Sequence, residues 1–232
     1  MYPGRATHSN RRTDCYLRTR THRNDRRSGK YHYPPHTGTE IISLAPSNTE
    51  ILYAIGAGDQ IVGRDAFSDF PAEALDLPDI GGGWGELNTE LILSLEPDLV
   101  LAADIIALEQ IQSLQDLGLP VFTLANPLTF DDLLENLKIV GRLTGHEADA
   151  EGAANTLSER IQAVEETIAI SSFHPIVFYQ LDSTDPAAPW TAGPGNFVDT
   201  LITMAGGANV ASDLTDPGCR SASKKSSIAT QT

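Results

Sequence analysis

Three observations in residues 40–103 predict an α/β protein built on a parallel sheet. Short β-branched apolar runs, Ile41-Ile42-Ser43-Leu44-Ala45 and Asp98-Leu99-Val100-Leu101-Ala102-Ala103, have the length and composition of buried strands. Helical periodicity fills the gaps between them and stops at glycines. The connecting loops are short and rich in Gly, Asn and aromatic residues, the composition of loops that hold a ligand where they leave a sheet.

After the first strand comes a turn, Pro46-Ser47-Asn48, and then a helix over residues 49–55, stopped by Gly56. A second strand, Ile61-Val62-Gly63, leads into the aromatic loop Phe67-Ser68-Asp69-Phe70-Pro71. A glycine cluster carrying Trp84 comes next at 81–85, then a helix over 88–95 and the strand at 98–103. The alternation continues with an amphipathic helix at 108–117 and a strand at 120–124. Thr129 opens a helix running to about residue 143, with Asp131 and Asp132 near its positive end, and Gly145 ends it.

Residues 147–170 form an Ala-rich, charged stretch of roughly 36 Å at the helical rise, long for a helix that merely covers a sheet. A rod joining two lobes fits it better. A strand over 175–180 restarts the pattern, followed by a loop bearing Trp190 and a helix over 198–205. After Asp213 no strand or helix signal remains, residues 217–220 included. The expected organisation is therefore a disordered basic leader at 1–39, an α/β lobe at 40–145 and a bridging helix at 146–171. A partial second α/β lobe at 172–213 and a disordered tail at 214–232 complete it. One strand and one helix cannot close a core against water, so the second lobe is expected to be incomplete.

Charge divides the chain. Residues 1–40 hold nine Lys/Arg against three acids, whereas 41–216 hold four against twenty-eight, within a net charge of -15. Such a body repels nucleic acid, which leaves only the leader for that role. The leader has almost nothing apolar to offset the entropy of ordering, and its basic start is not succeeded by the apolar core of a secretory signal. Cys15 and Cys219 lie in unpatterned segments at opposite ends and predict neither a disulfide nor a metal site. No apolar run is long enough to cross a bilayer as a helix.

The stretches IISLAPSNTEILYAIGAGDQIVG at 41–63, FSDFP at 67–71, GGGWGELNTELILSLEPDLVLAAD at 81–104 and PWTAGPGNFVDTLITMAGGANVASD at 189–213 carry a family resemblance. In order and spacing the chain from about 40 to 213 resembles the substrate-binding proteins of ABC importers that carry corrinoids, ferric siderophores or haem. The vitamin B12-binding members are the nearest match. The resemblance implies two α/β lobes bridged by one long helix, with the ligand held between them and passed to a permease with its ATPase. It implies a periplasmic or membrane-tethered monomer with no cofactor of its own, in which this chain holds the first lobe, the bridge and the opening of the second. On that basis the ligand is expected to bind weakly, because one wall is incomplete. The ends read as though out of frame with the middle, which would account for a missing signal and a missing half-lobe together.

Each candidate residue has a structural alternative. Trp84, among glycines, offers a broad flat face to a ligand ring or else plugs the sheet edge. Phe67 lies at the mouth of its loop as a second aromatic wall, or anchors that loop to the core together with Phe70. Trp190, between prolines, stands where the resemblance implies an aromatic wall of the second lobe. Ser47 and Asn48 bring backbone N–H groups to a helix start, for a ligand's polar atoms or for simple capping. Asp104 ends a strand on the same side and lines the cleft or caps the next segment of chain. The resemblance gives Glu50 the role of docking to permease arginines, while Ser47-x-x-Glu50 also matches a capping box that would tie the carboxylate to its own helix.

Enzyme signatures are lacking in this sequence. The glycine cluster does not have G-x-G-x-x-G spacing, and no P-loop, nucleophile elbow or H-E-x-x-H occurs. The six histidines show no metal-ligand spacing. A binding protein is therefore the primary expectation, and a small-molecule enzyme on a similar α/β scaffold is the alternative.

Overall fold

The structure, a computed structural model, describes residues 37–83, 85–182, 184 and 189–214, together with the main chain of 218–220. Residues 1–36 of the leader expected at 1–39, Trp84 and most of the tail lie outside the described residues. Residues 37–39 correct the expected disorder, since Gly38 is buried with its N–H on Leu143 O at 2.7 Å and Thr39 bonds the Asp98 carboxylate. The chain divides into two compact units, one ending at Ile170 and the other beginning at Ser171.

Four parallel strands form the sheet of the first unit: β1 (Ile41–Ser43), β2 (Ile61–Arg64), β3 (Leu99–Ala103) and β4 (Val121–Leu124). Their spatial order is β2-β1-β3-β4. The chain leaves β1 in one direction to make β2 and returns past it to make β3. A topological switch point therefore lies between the carboxyl ends of β1 and β3, where open α/β sheets place ligands.

Both faces of this sheet are buried, which explains why the strands read as continuous apolar runs. On one face Ile41, Leu99, Leu101, Phe122 and Leu124 pack against α1 (Pro46–Ala54) and α4 (Phe130–Thr144). On the other, Ile42, Val100 and Ala102 meet Ile92 of α2 (Thr89–Ser94) and Ile111 and Leu114 of α3 (Leu108–Asp116). The side chains alternate between faces as the strand period requires. Gly63 leaves no room for more, since a Cβ there would lie 2.8 Å from Ile42 Cδ1.

Thr129 and Asp132 close α4 with a reciprocal capping box, and Gly145 ends it at φ 78°. The long helix α5 (Glu147–Ala169) then packs back along α4 through Ala150 and Ala154. The two helices meet so closely that a Cβ on Gly141 would lie 2.5 Å from that of Ala150.

The start of α1 corrects the expected turn at 46–48, which is the first turn of the helix itself. Pro46 occupies N1, where its fixed φ suits the helix and its missing N–H costs nothing. Ala45 is the N-cap and no side chain caps it, so the Ser47-x-x-Glu50 capping box does not form.

In the second unit the expected strand at 175–180 is two short strands in different sheets. β5 (Ile176–Val177) pairs in parallel with β8 (Ala208–Asn209), and β6 (Gln180–Asp182) pairs antiparallel with β7 (Trp190–Ala192). The Thr191 hydroxyl donates to the Tyr179 carbonyl at 2.8 Å, where a continuous strand would have had a ladder bond. Residues 218–220, expected to be irregular, form β9 (Gly218–Arg220) on the free side of β7. Pairing with neighbours overrides local propensity in strands this short. The helix α6 (Phe197–Met204) is capped by Asn196, whose side chain accepts from Asp199 N. Among the described residues, the buried apolar side chains of this unit are Pro189, Ala192, Ile202 and Ala211.

Candidate functional site

The carboxyl ends of β3 and β4 and the start of α1 border a small depression at the switch point. Ser47, Asn48, Ile51, Ala103, Leu124, Ala125, Asn126, Pro127, Leu133 and Asn136 line it. Its space of about 30 Å³ would hold one or two waters, so the depression is a foothold for part of a ligand and not an enclosing pocket. None of the lining side chains titrates in the physiological range. They offer a hydroxyl, three carboxamides and an apolar floor, groups that hold a neutral, amphipathic surface and supply no general acid or base.

Backbone accounting decides what the helix start offers. Pro46 has no N–H, and both Asn48 and Thr49 donate theirs to Ala45 O, at 3.0 and 3.1 Å. The expectation of a ligand-facing Asn48 amide is thereby corrected, and Ser47 N–H is the donor at this end with no partner among the described residues. Asn48 instead works through its side chain, buried and donating from Nδ2 to Leu101 O at 3.0 Å. Asn136 does the same for Ala125 O at 2.9 Å. These two carboxamides satisfy carbonyls at the strand ends and fix the shape of the depression.

Asp104, just past β3, is exposed and does not line the depression. Its carboxylate accepts from Asn126 N at 3.3 Å, which ties the loop after β4 to the end of β3. Glu50 is exposed on α1, and no hydrogen bond among the described residues holds its carboxylate. With the capping box gone, the competing role for Glu50 is gone as well.

Phe67 is 51 % exposed and Phe70 65 %, so neither is an anchor in the core. The loop is held by polar groups that sequence reasoning does not single out. Asp65 accepts from Phe67 N at 2.9 Å and from the Ser68 hydroxyl. Ser68 Oγ also lies 2.8 Å from Thr49 Oγ1 of α1, and Thr49 reaches Ser43 Oγ of β1 at 2.7 Å. Arg64 turns inward to Ala74 O and Asp65 O, with Asp79 3.6 Å away, and presents no free cation at this edge. The only sequence signal for this network was the run of small hydroxyl and acid residues flanking the aromatic. Trp190, in the second unit, is half-buried in β7, and Trp84 lies outside the described residues.

At one edge, then, a doubly covered parallel sheet brings together a switch-point depression with a neutral lining, an exposed aromatic on a braced loop, and an uncommitted carboxylate. The fold is of the α/β class, with its loops and the depression at the carboxyl ends of the strands. The model of the periplasmic binding protein family matches residues 41–228, and the chain belongs to that family. A cobalamin-binding protein of Halobacterium salinarum is 30 % identical over 176 residues, covering 75 % of this chain and 46 % of its own length. An ABC transporter substrate-binding lipoprotein of Bacillus subtilis is 30 % identical over 181 residues, covering 76 % of this chain and 56 % of its own. The chain thus spans about half the length of the curated relatives it matches. Among solved structures, the periplasmic vitamin B12-binding protein BtuF of Vibrio cholerae superposes with a TM-score of 0.72 at 27 % identity, over 84 % of this chain and 74 % of its own. The periplasmic heme-binding protein RhuT of Roseiflexus sp. RS-1 gives 0.70 at 28 % identity, over 80 % and 71 %.

Proposed function

We propose that this chain is the solute-binding component of an ABC importer, which captures a corrinoid, ferric siderophore or haem and delivers it to a membrane permease. The observation that carries this reading is the neutral depression at the start of α1, with the exposed Phe67 on a loop tied to that same helix through Ser68 and Thr49. That arrangement suits a ring-bearing solute, and among the described lining residues none is a general acid or base. Ser47 and Asn48 at the depression and Phe67 on its loop are the first unit's ligand contacts, Asp104 contributes by tying down the loop after β4, and Trp84 and Trp190 are further ligand contacts. Glu50, exposed on α1, is the contact for cationic residues of the permease.

Among the three ligand classes the charge distribution disfavours haem, with its two propionates, and siderophores that carry carboxylates. Four Lys/Arg stand against twenty-eight acids over 41–216, and a solute rimmed with carboxylates would meet repulsion at this edge. An amide-rimmed ring suits the carboxamides of Asn48, Asn126 and Asn136. The names of the Halobacterium and Vibrio relatives support the corrinoid. The protein works outside the cytoplasmic membrane and needs no cofactor of its own.

Separate calorimetric titrations with cyanocobalamin, haemin and ferrichrome test the proposal, with chromatography of each ligand afterwards. Saturable binding of cyanocobalamin, recovered unchanged, is the expected result. Chemical conversion of the ligand would instead place the chain among enzymes, and absence of binding to all three would remove the proposal.

A further inference from the structure

The network under Phe67 has features that packing alone does not require. Thr49 and Ser43 are fully buried, and Asp65 and Ser68 are each 1 % exposed. Burying a carboxylate and three hydroxyls is costly unless each finds partners, and apolar side chains would fill the same space with less penalty. Here every member is bonded. The Asp65 carboxylate accepts from Phe67 N and from Ser68 Oγ, Ser43 donates to Ala45 O at 3.2 Å, and the one Thr49 hydroxyl hydrogen serves both Ser43 Oγ at 2.7 Å and Ser68 Oγ at 2.8 Å, donating to one at a time. The path runs from the end of β1 through α1 to the main chain of Phe67.

The aromatic at the end of that path has little burial to hold it. One side of the ring lies against Gly83, at φ 68°, so closely that a Cβ there would fall 2.0 Å from Phe67 Cε2. About half of the residue, 51 %, is exposed. Its position is therefore set by the polar mount beneath and the bare glycine beside it, and both are in place before any ligand arrives. Fixing an exposed side chain in advance lowers the entropy a ligand must overcome on binding.

We propose that Thr49, Ser68 and Asp65 are positioning residues that hold the Phe67 ring ready for the ligand, with Gly83 kept bare to admit it. The proposal rests on the reading of Phe67 as a ligand wall, and the test separates the two. Cyanocobalamin is titrated into the full chain and into Thr49→Val, Thr49→Ser, Phe67→Ala and the Thr49→Val/Phe67→Ala double variant. Amide exchange at Phe67 is followed by NMR alongside.

Thr49→Val should weaken binding about tenfold, equivalent to about 1.4 kcal/mol, and Thr49→Ser should restore most of it because the hydroxyl is back. In the Phe67→Ala background Thr49→Val should have no further effect, and Phe67 N–H should exchange faster in Thr49→Val while the β3 amides keep their protection. Gly83→Ala, outside the core, disturbs the same ring and should show the same coupling to Phe67→Ala, which keeps the test alive if Thr49→Val does not fold. An equal loss from Thr49→Val with and without Phe67, or unchanged protection of the Phe67 amide, would overturn the inference alone. Unchanged affinity in Phe67→Ala would overturn the ligand-wall reading and the inference with it.

Discussion

The unit ending at Ile170 and the unit beginning at Ser171 are held together by different means. The first has a four-stranded parallel sheet with an apolar cluster on each face, and its helices pack down to contact with glycine. In the second, the described residues bury Pro189, Ala192, Ile202 and Ala211 among apolar side chains, while Ile176, Leu181 and Phe173 are exposed. Its order comes from polar links. Asn209 Nδ2 donates to Ala192 O at 3.0 Å and to Asp199 Oδ1 at 2.8 Å, and Asp199 Oδ2 accepts from Gly195 N at 2.9 Å. Burial scales with area and makes a unit cooperative, whereas a few hydrogen bonds fix geometry and add little net stability. The lesson is that stability resides in the first unit, and the second is the more easily opened.

The largest effect should come from cutting into the first unit's core. Leu101→Ala, in the buried centre of β3, should cost about 2–5 kcal/mol, seen as a lower midpoint of the main urea transition. Next, Gly141→Ala forces a Cβ against Ala150 and should cost about 1–3 kcal/mol in that transition. By contrast, Asn209→Ala should leave the main midpoint in place. Loss of its bonds, each unsatisfied partner worth about 1–3 kcal/mol, should appear as faster amide exchange confined to α6 and β8. A single transition lowered equally by Leu101→Ala and Asn209→Ala would erase the distinction between the units.

Electrostatics should sharpen the contrast by smaller amounts. Residues 41–170 hold four Lys/Arg against twenty-three Asp/Glu, a net -19, whereas 171–216 hold none against five. Raising salt from about 0.1 M to 1 M shortens the screening length from roughly 10 to 3 Å and should raise the first unit's thermal midpoint the more. The smallest effect concerns Tyr53. Burial pushes its phenol up from the usual tyrosine value, and Glu73, Asp59 and Asp76 nearby add to the shift. Because the folded state holds this proton more tightly than the unfolded one, stability is fully present below the unfolded pKa. It falls as pH rises through the folded one. Denaturation between about pH 9 and 11 should show a slightly steeper decline in the parent than in Tyr53→Phe.

Much of the first unit was legible because its signals are local. β1 and β3 are continuous apolar runs, and α4 carries both its capping box and its terminal glycine. The start of α1 was misread because Pro46-Ser47-Asn48 has the composition of a turn, and only the backbone of Ala45 reveals a helix already begun. In the second unit the split of β5 from β6, and β9 itself, depend on partners distant in sequence. At the site, the exposed Phe67 and the carboxylate of Glu50 could be picked out by type. The Asp65–Ser68–Thr49–Ser43 network could not, because buried hydroxyls and loop hydroxyls look alike until the chain is folded.

On the proposed function, the solute meets the carboxyl edge of the first unit's sheet. Amide-resolved NMR during a cyanocobalamin titration tests it most directly. Shifts concentrated at Ser47, Phe67, Asp104 and Asn126 are the expected result. Shifts gathered instead at the opposite edge, around Glu40, Asp98 and Leu119, would contradict it.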